Sequence, residues 1–159
     1  MGGQIVSVVA RVCCLLILLT AAPTAIAGDL PDPKLTPGMA DPILTKDVIC
    51  APGFNTKTIR VVPTARKREV YKEYGVSPDT PPCPCEVDHL IPLDLGGANW
   101  LANLWPQSHS TKPWNSIRKD RLERELHNEV CSGKVELQTA QQQIATDWIA
   151  AYLKRYVSP

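Results

Sequence analysis

The sequence predicts a small α+β domain, stapled by disulfides and preceded by an export signal. Three observations carry this expectation. A chain of 159 residues has the size of one ordinary domain. Fifteen prolines against nine glycines and a single Phe describe a loop-rich fold, without a collagen-like or low-complexity bias. Short β-branched runs and longer helical periods occur together, and an even number of cysteines remains once the N-terminal segment is set aside.

Taken in order, residues 1–27 hold one basic residue, Arg11, then an apolar run over 12–22 and the small-x-small site Ala25-Ile26-Ala27. This is the pattern of a secretory signal peptide, and it places the mature protein in the periplasm or outside the cell. The apolar run is shorter than the roughly 20 residues a bilayer demands, and no later stretch is long enough, so no membrane span is expected after cleavage. Arg11 leaves with the signal, which balances basic and acidic side chains in the mature chain. That excludes a uniformly basic nucleic-acid coat while leaving local patches open.

Residues 28–48 carry Pro31, Pro33, Pro37 and Pro42 and no apolar period, so they read as an extended arm. A single domain is expected over 49–159. Its first strand is predicted over 58–62, ending at Pro63. Thr64 then caps a helix to 74, with Gly75 as its stop. A proline-rich loop over 76–84 leads to a strand over 86–93, a glycine turn over 94–99, and a shorter returning strand over 101–105. Ile117, Leu122, Leu126 and Val130 predict a charged amphipathic helix over 113–130. Thr139 and Gln142 form a capping box for a last helix that shows Ile144, Trp148 and Tyr152 at helical spacing. Trp100, Trp105 and Trp114 are expected in the core, since a domain with one Phe must take its large apolar volume from elsewhere.

Cys50, Cys83, Cys85 and Cys131 remain in the mature chain. In an exported protein they are expected to form two disulfides. A bond between Cys83 and Cys85 is disfavoured by the short loop through Pro84. The expected pairing therefore ties Cys50 and Cys131 each to one of that pair. A four-cysteine zinc site is the competing reading; it lacks the paired C-x-x-C spacing and needs reduced thiolates.

The charges are segregated. Six basic residues and one acid lie between Lys57 and Lys72, and five basic residues and two acids between Lys112 and Arg124. Between them, residues 79–111 hold four acids and no Lys or Arg. Such an acidic centre between basic arms suits a cation gripped beside a polyanion, although solvated helix faces give the same pattern.

The acidic centre contains Glu86-Val87-Asp88-His89-Leu90-Ile91-Pro92-Leu93, then Gly96-Gly97-Ala98-Asn99 and Asn103-Leu104-Trp105-Pro106. In these residues the chain resembles the HNH endonuclease family over 86–120. It is most similar to the exported bacterial branch, whose motif runs on into Asn-Leu-Trp-Pro and a Trp-Asn-x-x-x-Lys-Asp helix start, matched here by Trp114, Asn115, Lys119 and Asp120. The resemblance implies a ββα-metal core over about 86–130 with flanking helices. In that core His89 is the general base, Asp88 a metal ligand, and Asn103 the residue that fixes the loop and orients the histidine.

The chemistry fits these residue types. Phosphodiester hydrolysis takes a proton from water, and a neutral imidazole has suitable basicity near pH 7. One divalent cation stabilises the phosphate and the leaving 3′ oxygen. Asp88 and His89 are neighbours on a strand, so their side chains leave opposite faces unless the strand twists or ends at the site. The sequence departs from the family where a histidine is expected near the helix start; Lys112, Pro113, Trp114 and Asn115 stand there. Asn115 is the chosen third ligand, with His109 and His127 as rivals. Its neutral hard oxygen suits Mg²⁺ or Mn²⁺ rather than tight zinc. Lys112, Arg118, Lys119 and Arg121 are the candidate phosphate contacts.

The function expected is that of a monomeric, metal-dependent endonuclease of low sequence specificity, acting on DNA ahead of RNA. Two alternatives stand beside it: a non-catalytic binding module on a decayed scaffold, and a hydrolase of another phosphodiester.

Overall fold

The computed structural model describes residues 29–77 and 85–157. The expected signal peptide, Cys83 and most of the loop over 76–84 lie outside the described residues. What is described is a mixed helix and strand fold: α1 (Lys46–Ile49), α2 (Thr56–Ile59), α3 (Thr64–Glu73), β1 (Cys85–His89), β2 (Leu104–Ser108), α4 (Ser116–Cys131) and α5 (Leu137–Tyr156). β1 and β2 form an antiparallel pair in which Asp88 faces Trp105 and His89 faces Leu104.

Two clusters bury this hairpin and its loop. On one side Val70 of α3 and Tyr74, which follows its last turn, pack with Leu90, Leu104 and Trp105. On the other, Leu122, Leu126 and Val130 of α4 meet Ile144, Trp148 and Tyr152 of α5, with Leu95 and Ile91 from the loop between the strands. The proline-rich arm lies along that loop. Ala40 forms a bridge with Gly97, Gly38 N–H donates to Ala102 O, and the buried Thr36 hydroxyl donates to Leu104 O.

Several expectations change. Residues 58–62 are not a strand: the Asn55 carboxamide accepts from Lys57 N–H and starts the helical turn of α2 instead. The following extended residues bond to the Asn99 side chain rather than to a sheet. β1 stops at His89, because Asn103 captures both backbone groups of Ile91 and curls the chain there. Residues 101–103 are a 3₁₀ turn, with β2 beginning after it. α4 starts after Asn115, and Ile117, expected on its buried face, is 67% exposed. α5 opens two residues before Thr139, with Glu136 as its first flank, so the capping box is not used. Asp147 interrupts the helical backbone of α5 and accepts from Ala150 N–H. Trp105 is fully buried as expected and Trp114 packs against the core, whereas Trp100 is exposed under the guanidinium of Arg66.

The cysteine pairing is also corrected. Cys50 and Cys131 are bonded to each other across a sequence separation of 81 residues, with Cα atoms 5.4 Å apart. The reason is packing: α1 and α4 both end here, against the core that Ile49 and Val130 share. Cys85 is disulfide-bonded as well.

Candidate active site

The loop between the strands is built around Asn103. Its carboxamide oxygen accepts from Ile91 N–H at 2.9 Å and Met39 N–H at 3.2 Å, and its amide donates to Ile91 O and Ala98 O at 2.9 Å each. These four bonds exhaust what an asparagine side chain can make, so a fully buried polar group is fully satisfied. Gly97 is required for this closure, since a Cβ there would overlap the Ile91 carbonyl and crowd the Asn103 amide. Gly96, at φ +74°, makes the left-handed turn that precedes it.

His89 closes β1 and is 2% exposed. The residue that orients its ring is Asn99, not Asn103. Asn99 Nδ2 donates to Ile59 O at 2.8 Å, which turns its oxygen toward His89 Nε2, 3.0 Å away, and toward Val61 N–H at 3.3 Å. An amide oxygen only accepts, so Nε2 carries the proton and Nδ1 keeps its lone pair. Nδ1 is buried and has no hydrogen-bond partner among the described residues. Burial lowers the imidazole pKa below its ordinary value, against the Asn99 bond and the Asp88 charge, with Arg60 and Lys119 acting in the same direction as burial. The ring is thus neutral near pH 7, with one free basic nitrogen.

A small cavity of about 60 Å³ joins His89 to Asp88, Asp94, Glu123 and Arg60. Because His89 is the last residue of β1, the two neighbours Asp88 and His89 both line it, as a strand ending at the site allows. Two of the acids that line the cavity share a buried cation. Lys119 of α4 is fully buried, and its ammonium donates to Asp88 Oδ2 at 2.8 Å, His89 O at 2.6 Å and Glu123 Oε1 at 2.5 Å. Burial works against this charge, but the two carboxylates outweigh it and raise the Lys119 pKa above its usual value. Burial also raises the Glu123 carboxyl well above the usual range, with Lys119 opposing and Asp88 and Asp94 adding to the rise. Asp94 is raised chiefly by burial, and its Oδ1 is buried without a partner among the described residues.

The donor chemistry suits a hard divalent cation: carboxylate oxygens of Asp88, Asp94 and Glu123 share one cavity, and Asp94 Oδ1 lacks a partner there. Lys119 competes for two of the three carboxylates, and no three His, Cys, Asp or Glu side chains among the described residues are grouped to hold an ion.

The other predicted residues lie elsewhere. Asn115 caps α4: its oxygen accepts from Arg118 N–H, its amide donates to Thr111 O, and it borders a cleft with Trp105 and Trp148. It is not among the residues lining the cavity of Asp88. His109 Nδ1 is 3.0 Å from Ser116 Oγ and 3.5 Å from Glu86, while His127 Nδ1 bonds to Asp94 O. Arg118 stacks on Trp114 and Tyr152, and Arg121 on Tyr156, so both face α5. Lys112 is exposed in the loop before α4. Lys119 is inaccessible to a phosphate and serves as the counter-ion of Asp88, which corrects its expected role.

Asn99, Asp94, Glu123 and Arg60 were not assigned to the site from sequence. For Lys119 a signal existed: it lies three residues before Leu122, on the same helical stripe as Leu122, Leu126 and Val130. No family model matches the chain, and no curated protein or solved structure matches it.

Proposed function

We propose that this chain is an exported HNH-type endonuclease, with the β1–β2 hairpin and α4 as its ββα-metal core. One observation carries the reading. His89 lines a cavity with three acidic side chains, and Asn99 holds its ring in the tautomer that leaves the buried Nδ1 unprotonated and without a partner among the described residues. In the reaction, His89 Nδ1 takes a proton from a water whose oxygen bonds to phosphorus. The bond from phosphorus to the 3′ oxygen breaks, and that oxygen takes a proton from solvent. Asp88 and Asp94, the latter with an Oδ1 that has no partner among the described residues, would hold one Mg²⁺ or Mn²⁺ together with water, and the ion would supply positive charge to the phosphate and the leaving oxygen when bound. Asn103 keeps the loop closed so that Asp88 and His89 stay at one cavity.

Residues 1–27 are read as the export signal. A disulfide is compatible with export, and among the described residues no helix is long and apolar enough to cross a membrane. Nucleic acid is the substrate, DNA ahead of RNA, with low specificity, since no recognition module is left once the core is assigned. The binding-module reading is favoured by one observation: Lys119 already pairs with Asp88 and Glu123. Incubating the oxidised mature chain with labelled single-stranded DNA, duplex DNA and RNA, with Mg²⁺, Mn²⁺ or chelator, separates the two. Divalent-dependent fragments support the endonuclease, and binding without cleavage supports the module.

A further inference from the structure

The basic side chains of this protein divide into two groups. Lys119 and Arg155 are in salt bridges with acids, and Arg66, Arg118 and Arg121 lie over aromatic rings. Most of the others, Arg60 and Lys67 among them, have neither kind of partner among the described residues. The position of these two is the second observation. Both line a groove of about 410 Å³ between α3 and β1, with His89 also in its wall. Arg60 also lines the small carboxylate cavity, so Arg60 and His89 both border the two spaces.

This placement is held by the residue that orients the base. Asn99 bonds to Ile59 O and Val61 N–H, the backbone groups on each side of Arg60, while its oxygen also accepts from His89 Nε2. The backbone at Arg60 and the imidazole of His89 are therefore held by one side chain. A planar guanidinium left unpaired beside acids, next to a basic nitrogen, is suited to bidentate capture of a phosphate. Glu86, the acid in the groove wall, is directed at His109, 3.5 Å away.

We propose that the groove between α3 and β1 seats the phosphodiester backbone of the substrate strand, with Arg60 gripping the phosphate at His89 and Lys67 the next phosphate along. This rests on the endonuclease reading and relocates its phosphate contacts from the α4 face toward α5 to the opposite side of the hairpin. Arg60 touches the reacting group, so its contribution grows as charge develops on the phosphoryl oxygens. Lys67 acts in binding alone.

The test compares Arg60→Gln, Arg60→Lys, Lys67→Gln, Arg118→Gln, Arg121→Gln and Lys134→Gln in the oxidised full mature chain. Cleavage kinetics on a labelled DNA strand and anisotropy of the same strand across a salt series are measured for each. Arg60→Gln is expected to lower kcat by about 10²-fold, as for loss of one transition-state donor, with Arg60→Lys recovering part of it. Lys67→Gln is expected to raise KM and reduce the salt slope by about one, leaving kcat unchanged. Lys134→Gln is expected to behave as wild type. Melting temperatures should stay together, because the Arg60 and Lys67 side chains are exposed. A cleaving wild type whose losses fall on Arg118→Gln or Arg121→Gln, with Arg60→Gln and Lys67→Gln normal, overturns the groove and leaves the endonuclease standing. A wild type that neither binds nor cleaves overturns both.

Discussion

Lys119 Nζ lies 2.8 Å from Asp88 Oδ2, with the whole lysine side chain out of contact with solvent. The same ammonium bonds to Glu123, so two acidic side chains of the cavity share one internal positive charge. Removing one partner of a buried ion pair leaves the others uncompensated, at a cost of about 3–5 kcal/mol. Lys119→Met is therefore expected to melt well below wild type in chelator. Mn²⁺ should then raise its melting temperature by more than it raises that of wild type, because Asp88 and Glu123 regain a counter-charge. Thermal melts of the two proteins with chelator and with Mn²⁺ check this; equal responses to Mn²⁺ would count against a cation site at these carboxylates.

The pH dependence of cleavage follows from His89. Burial lowers its pKa, so the base is unprotonated at neutral pH, and activity should fall only on the acid side of the ordinary histidine value. Asn99→Asp puts a carboxylate against Nε2, which favours the imidazolium. The acid limb of the rate profile should move to higher pH in that variant. A limb that stays in place would mean that His89 is not the titrating base.

Asn115→Ala separates capping from ligation. The structure gives its oxygen to Arg118 N–H, so the variant should lose about 1 kcal/mol of stability, the usual cost of an N-cap. Its Mg²⁺ or Mn²⁺ requirement for cleavage should be unchanged. A shifted metal titration without a stability loss would restore Asn115 as a ligand.

What could be read from the sequence was mostly local. Asp88, His89, Gly96, Gly97 and Asn103 lie within one short stretch, and the spacing that marks them also folds the loop, since Gly97 admits the Asn103 bonds. α3 and the body of α4 followed from their apolar periods and stops. What could not be read depends on distant partners. Asn99 acts through Ile59 and Val61, 40 and 38 residues earlier, so its motif position alone carries no hint of that use. The run over 58–62 is β-branched and alternating, yet it has no strand to pair with, and Asn55 and Asn99 decide its shape. Cys50 and Cys131 meet only because α1 and α4 end together. The charge of Lys119 suggests a phosphate contact, but its place on the buried stripe of α4 turns it inward to Asp88.

The central claim is that His89 is the general base of a nucleic-acid hydrolase, and single-turnover cleavage of supercoiled plasmid by wild type and His89→Ala tests it most directly. Both proteins are taken oxidised and with matched circular dichroism, at saturating Mg²⁺ or Mn²⁺. The expected result is nicking by wild type and a rate lower by about 10²-fold or more in His89→Ala, the size of effect general-base catalysis supplies. A folded, oxidised wild type that leaves DNA and RNA intact with every divalent ion, or a His89→Ala variant as fast as wild type, would contradict it.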